Sequence, residues 1–124
     1  MSQPEMDALD VGVIDGLRAS VEGDTAFVVE LIEAYLADSA AQLEAIEQAW
    51  SAGDAEALVR PAHTLKSASA TLGAMPLSVA ARTLESAARS GSLDGDDARG
   101  AAAAIRPAWE AASAALTAWS AANR

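Results

Sequence analysis

The chain has 124 residues, 52% hydrophobic but only 4% aromatic, with no cysteine and a net charge of −10. A single domain of this size has no room for a nucleotide-binding unit plus a second module, and the missing cysteines rule out disulfides and thiolate metal sites. The acidic balance argues against nucleic acid and anionic membrane as partners.

The apolar excess is alanine, a strong helix former, so an all-α protein is expected. Its acidic start lacks the basic and apolar regions of a signal peptide. No run approaches the ~20 apolar residues of a membrane span, and a soluble, cytoplasmic location follows. Charge is unevenly spread. Through Ala57 there are 13 acids and one base, Arg18; from Leu58 onward there are 5 acids and 7 bases.

Residues 1–8 read as a disordered lead, and 9–122 as one domain. Asp10 can cap a short helix with the apolar stripe Val13, Ile14, Leu17 and Val21. Too short to stand alone, that helix should pack across the end of something larger. Gly23-Asp24 then opens a long helix reaching about Ser51, roughly 40 Å at 1.5 Å per residue. Its apolar positions Val28, Leu31, Ile32, Tyr35, Leu36, Leu43, Ile46 and Trp50 recur at threes and fours, opposite Glu30, Glu33, Asp38, Glu44 and Glu47.

Gly53-Asp54 repeats the punctuation of a glycine stop and an aspartate cap. The next helix contains Pro61, which predicts either a kink before residue 63 or a helix that starts near the proline. Gly73-Ala74-Met75-Pro76 closes it and opens another, with the stripe Leu77, Ala80, Ala81, Leu84, Ala87 and Ala88. So short a turn makes the two helices antiparallel neighbours.

Asp94, Asp96 and Asp97 resemble the start of a calcium loop, but Arg99 and Ile105 stand where an EF-hand needs glycine and glutamate. Helix capping is the better account of these acids. The last helix, to about Ala121, carries Ile105, Trp109, Ala112, Leu116 and Trp119 and is expected to bend at Pro107. The architecture is an all-α antiparallel four-helix bundle with a short extra N-terminal helix, closing its core as a monomer.

His63 is the single histidine. At about 100° per residue, Leu58, Ala62, Leu65, Ser69 and Leu72 share one face of its helix, while Val59, His63, Ser67 and Ala70 share the opposite one. The histidine therefore faces solvent or a partner. Lys66 and Ser67 flank the ring from the next turn, a cation and a small side chain that leave space for a bulky anion. A hydrolytic triad lacks its Gly-x-Ser-x-Gly turn. A di-metal bundle needs Glu-x-x-His, and Arg60 stands in the glutamate's place, so no metal site is expected. Nucleophilic attack on phosphorus by a neutral imidazole remains, against the alternative of an ordinary exposed histidine.

The run His63-Thr64-Leu65-Lys66, then Ser69, Gly73-Ala74, Leu77 and Leu84-Glu85, resembles the histidine-containing phosphotransfer (HPt) family across nearly the whole chain. That resemblance implies a four-helix bundle carrying phosphate on His63, with Lys66 neutralising the phosphate and Glu85 holding the other ring nitrogen. It implies a carrier and not an enzyme. Its partners would be receiver domains of response regulators or hybrid histidine kinases, or a kinase itself. The chain would have no cofactor of its own, with magnesium supplied by the receiver.

Counting from the Gly73 turn puts His63 and Glu85 at nearly matching heights; a surface glutamate paired with Arg82 or Arg89 is the alternative. Val59, Ser67, Ala70, Arg60 and Arg82 make up the expected docking face. Ser67 replaces the family's usual glycine, which implies slower or more selective docking, and Pro61 would tilt the histidine turn. Two other readings are an interaction module that binds a receiver or kinase without carrying phosphate, and the dimerising histidine domain of a sensor kinase. The latter lacks a following ATP-binding portion, and the initial methionine points to a free-standing protein.

Overall fold

The computed structural model describes residues 7–124, so residues 1–6 of the expected lead lie outside it. Five helices follow in order: α1 (Val11–Ser20), α2 (Thr25–Ala52), α3 (Ala55–Thr71), α4 (Met75–Arg89) and α5 (Asp96–Asn123). Three start as their local sequence dictates. Asp10 accepts from the Gly12 N–H, Asp24 from Phe27 and Asp54 from Ala57, each near 3.0 Å, which satisfies donors that the first turn leaves unpaired. Gly53 ends α2 in the left-handed conformation.

Helices α2 to α5 form the antiparallel bundle, with α3 packed most extensively on α4. Leu58, Leu65, Leu77, Leu84, Ile32, Leu43, Ile46, Ile105 and Leu116 are fully buried at its centre. Leu31, Leu36 and Trp50 were expected on the buried stripe of α2 but are half-buried, as is Ala87 of α4. They sit at the edges of their stripes, where the neighbouring helix covers one side only. Two polar links cross the core. Tyr35 Oη and Ser69 Oγ are 2.7 Å apart, and Trp109 Nε1–H donates to Ser39 Oγ at 2.8 Å, so these two aromatics keep their polar ends paired.

Helix α1 lies across one end of the bundle, as its length predicts. The Asp10 N–H donates to the Gly73 carbonyl at 2.8 Å. At the other end of α1, Arg18 bonds Asn123 at 3.0 Å and lies over the Trp119 ring. Gly73 has φ +84°, and a Cβ there would stand 2.7 Å from the Asp10 carbonyl oxygen. The turn therefore needs glycine both for its backbone and for the approach of α1.

Pro61 lies within α3, so the alternative of a helix starting there does not hold. The ring is buried, while Ala57, whose carbonyl loses its usual N–H partner, is exposed and can turn that group to water. The aspartates before α5 do not cap it: Gly95 occupies the cap with no side-chain bond, and Asp96 and Asp97 fall inside the first turn. There they face the positive end of the helix dipole, and Asp96 pairs with Arg99. No helix among the described residues is long and apolar enough to cross a membrane.

Candidate functional site

The tight Gly73 turn lays α4 back along α3. In the first turn of α4, the buried Ser78 donates its hydroxyl to the Lys66 carbonyl at 2.8 Å, a bond between helices that helps set their register. Leu77, Ala81, Leu84 and Ala88 give α4 its buried stripe. Glu85 lies on the flank of that stripe facing α3, beneath His63.

This glutamate is buried, its side chain only 7% exposed, and it gathers three cationic or polar neighbours. Oε1 is 2.6 Å from Lys66 Nζ. Oε2 is 2.8 Å from His63 Nδ1 and accepts Arg89 Nε–H at 2.9 Å, with Arg89 Nη2 at 2.8 Å. Burial opposes the charged carboxylate. The hydrogen bonds from Lys66, Arg89 and His63, with the Lys66 charge behind them, outweigh it and hold the Glu85 carboxyl at about 2.

An ionised carboxylate can only accept hydrogen bonds. In the neutral imidazole, the proton shared with Glu85 therefore belongs to Nδ1, and Nε2 carries the lone pair. Since the imidazole is 53% exposed, that lone pair is reachable from outside. The arrangement is an oriented nitrogen nucleophile with its second nitrogen pinned to a buried anion.

Sequence reasoning placed His63, Lys66 and Glu85 at one site, and the structure brings all three together. Lys66, expected to neutralise the phosphate, is ion-paired with Glu85 and 28% exposed. Val59 is half-buried, and Arg60, Ser67 and Ala70 are exposed, as their helical positions around His63 require. Arg82 does not join the cluster. Among the described residues it makes no ion pair, and it lines a hollow against the start of α5 with Thr83, Ser86, Ser90 and Asp97. Arg89 is the site residue that sequence reasoning undervalued. Its spacing of four from Glu85 was the available signal, because i and i+4 share a helix face. Ser78, two turns before Glu85 on the same side, was missed entirely.

A family model, the Hpt domain, matches residues 30–119, a span that starts within α2, ends within α5 and contains the α3–α4 pair. The chain is also similar to the crystal structure of histidine-containing phosphotransfer protein B from Pseudomonas aeruginosa PAO1. The TM-score is 0.81 and the identity 27%, over 99% of this chain and 100% of that one. No curated protein matches it in sequence.

Proposed function

The chain belongs to the Hpt domain family, and from that premise we propose that it is a phosphorelay carrier whose phosphoryl group rides on Nε2 of His63. The observation that carries this reading is the 2.8 Å contact between His63 Nδ1 and the buried, ionised Glu85, which leaves the other nitrogen as the nucleophile.

The donor is an aspartyl phosphate on a receiver domain. The Nε2 lone pair attacks phosphorus in line; the P–N bond forms as the P–O bond to the aspartate breaks, and the carboxylate departs with the electron pair. The proton stays on Nδ1, and Glu85 offsets the positive charge that the ring acquires. No proton has to leave during transfer, so the same step runs backward onto a second receiver. Positioning and charge stabilisation are the main contributions, with magnesium brought by the receiver. The chain is then a carrier and not an enzyme in its own right. The receiver docks over Val59, Ser67 and Ala70, small or half-buried positions that leave the ring accessible.

Incubating the protein with a receiver carrying labelled aspartyl phosphate tests this. Label should enter an acid-labile, base-stable phosphoramidate and should be absent from His63→Gln. Label persisting in that variant overturns the assignment, and a wild-type protein that binds the receiver but takes no label makes it an interaction module instead.

A further inference from the structure

The cluster around Glu85 holds one more cation than a single carboxylate requires. With His63 neutral, Lys66 and Arg89 bring two positive charges against one negative charge, and they reach it differently. Lys66 alone holds Oε1, while Arg89 contacts Oε2 with two nitrogens of its fork. Lys66 belongs to the histidine's own helix, three residues on, where its ammonium can swing toward a group on the ring. Arg89 extends from α4, one turn beyond Glu85, and its side chain is 59% exposed.

A buried carboxylate stripped of its counter-ion is strongly penalised. Were Lys66 the sole partner of Glu85, it could not move to an incoming phosphoryl group without leaving such a charge behind. The planar guanidinium suits a partner that stays in place, since two N–H groups directed at one carboxylate define its orientation.

We propose that Arg89 is a positioning residue that keeps Glu85 paired and oriented, so that Lys66 can exchange from Glu85 to the phosphoryl group on His63. This rests on the phosphocarrier reading above and adds a division of labour to it. Before transfer both cations serve Glu85, and after transfer Arg89 serves it alone. A phosphoryl group adds a charge of roughly −2, which is what draws the ammonium across. Glu85 keeps Nδ1 protonated throughout, and the ring does not turn.

Side-chain nitrogen NMR on the whole protein, charged on His63 with phosphoramidate as a chemical donor, reads the exchange directly. The Lys66 Nζ signal should shift on phosphorylation while Arg89 Nε keeps its hydrogen-bonded position. In Arg89→Gln, Lys66 should stay on Glu85, and the phosphoryl equilibrium with a receiver should move toward the receiver about tenfold, the scale of one lost charge-assisted hydrogen bond. That shift should vanish when Arg89→Gln is made on top of Glu85→Gln, whose neutral amide no longer retains the lysine. A penalty that persists in the double variant overturns the proposal, because Arg89 would then touch the phosphoryl group or the receiver itself. So does an Arg89 signal that moves while Lys66 does not, or an Arg89→Gln protein that transfers like wild type. These outcomes leave the carrier reading intact; only absence of phosphate from His63 sinks that.

Discussion

Two Arg–carboxylate pairs in this bundle have opposite consequences, one forked across both carboxylate oxygens and the other directed at a single oxygen. On the α2–α5 side, Arg106 meets Glu47 through two bonds of 2.8 and 2.5 Å, with both side chains at least a third exposed. On the α3–α4 side, Arg89 meets Glu85 at comparable distances, but that carboxylate is buried and shared with a lysine and a histidine. Both carboxyl groups are lowered from the ordinary value: Glu47 by its hydrogen bonds with Arg106 against slight desolvation, Glu85 against its burial. Water screens the first pair, which does little beyond decorating the surface. The Glu85 carboxylate of the second is shielded from water, so its contact with His63 is little screened, and that contact orients the nucleophile.

The largest contrast is at the ring itself. His63→Gln should abolish labelling by a phosphorylated receiver, whereas Glu47→Ala should leave it unchanged, as gel autoradiography of the two proteins would show.

Next comes Glu85. Replacement by alanine should slow transfer by roughly 10- to 100-fold, the usual cost of losing a partner that orients an imidazole, and nitrogen NMR should show Nδ1 no longer solely protonated. An unchanged rate and tautomer would make Glu85 as inert as Glu47. The same residue sets a pH dependence. Its folded value, about 2, lies below the ordinary 4.5, so its stabilising contribution is complete above about pH 4.5 and is lost as pH falls toward 2. Denaturation midpoints of wild type and Glu85→Gln should therefore converge over that window.

The two ends of the bundle differ in a parallel way. Gly73 and Gly53 both have positive φ, but a Cβ at Gly53 meets open space while one at Gly73 strikes the Asp10 carbonyl. Gly73→Ala should cost about 2–3 kcal/mol, conformational strain plus a backbone clash, and Gly53→Ala about 1 kcal/mol from strain alone. Urea denaturation measures both, and equal costs would mean that α1 yields freely. The smallest effect belongs to Arg106→Ala, expected within about 1 kcal/mol of wild type and reduced further by salt.

Much of this fold was legible because it is written locally. Asp10, Asp24 and Asp54 announce three helix starts through bonds that span two or three residues. The apolar spacing in α3 showed which side His63 faces. Counting outward from a tight turn set His63 and Glu85 at nearly matching heights, while the family resemblance supplied Glu85 as the ring's partner. Local rules failed where they competed. Pro61 left two readings open, and the structure sets it inside α3 with its ring buried. The acids before α5 read as caps, yet Gly95 takes that position.

Composition, periodicity and turn chemistry by themselves determined an all-helical bundle, its chain order and an outward histidine, because each depends on residues within a turn or two of one another. Only the tertiary structure decided the state of the cluster: that Lys66 rests on Glu85, that Arg89 belongs to the site and Arg82 does not, and that Ser78 ties α4 to the Lys66 carbonyl. These contacts depend on how far α4 is rotated and slid against α3. That fit is settled by side-chain packing across the whole interface and has no counterpart in the spacing of either helix alone.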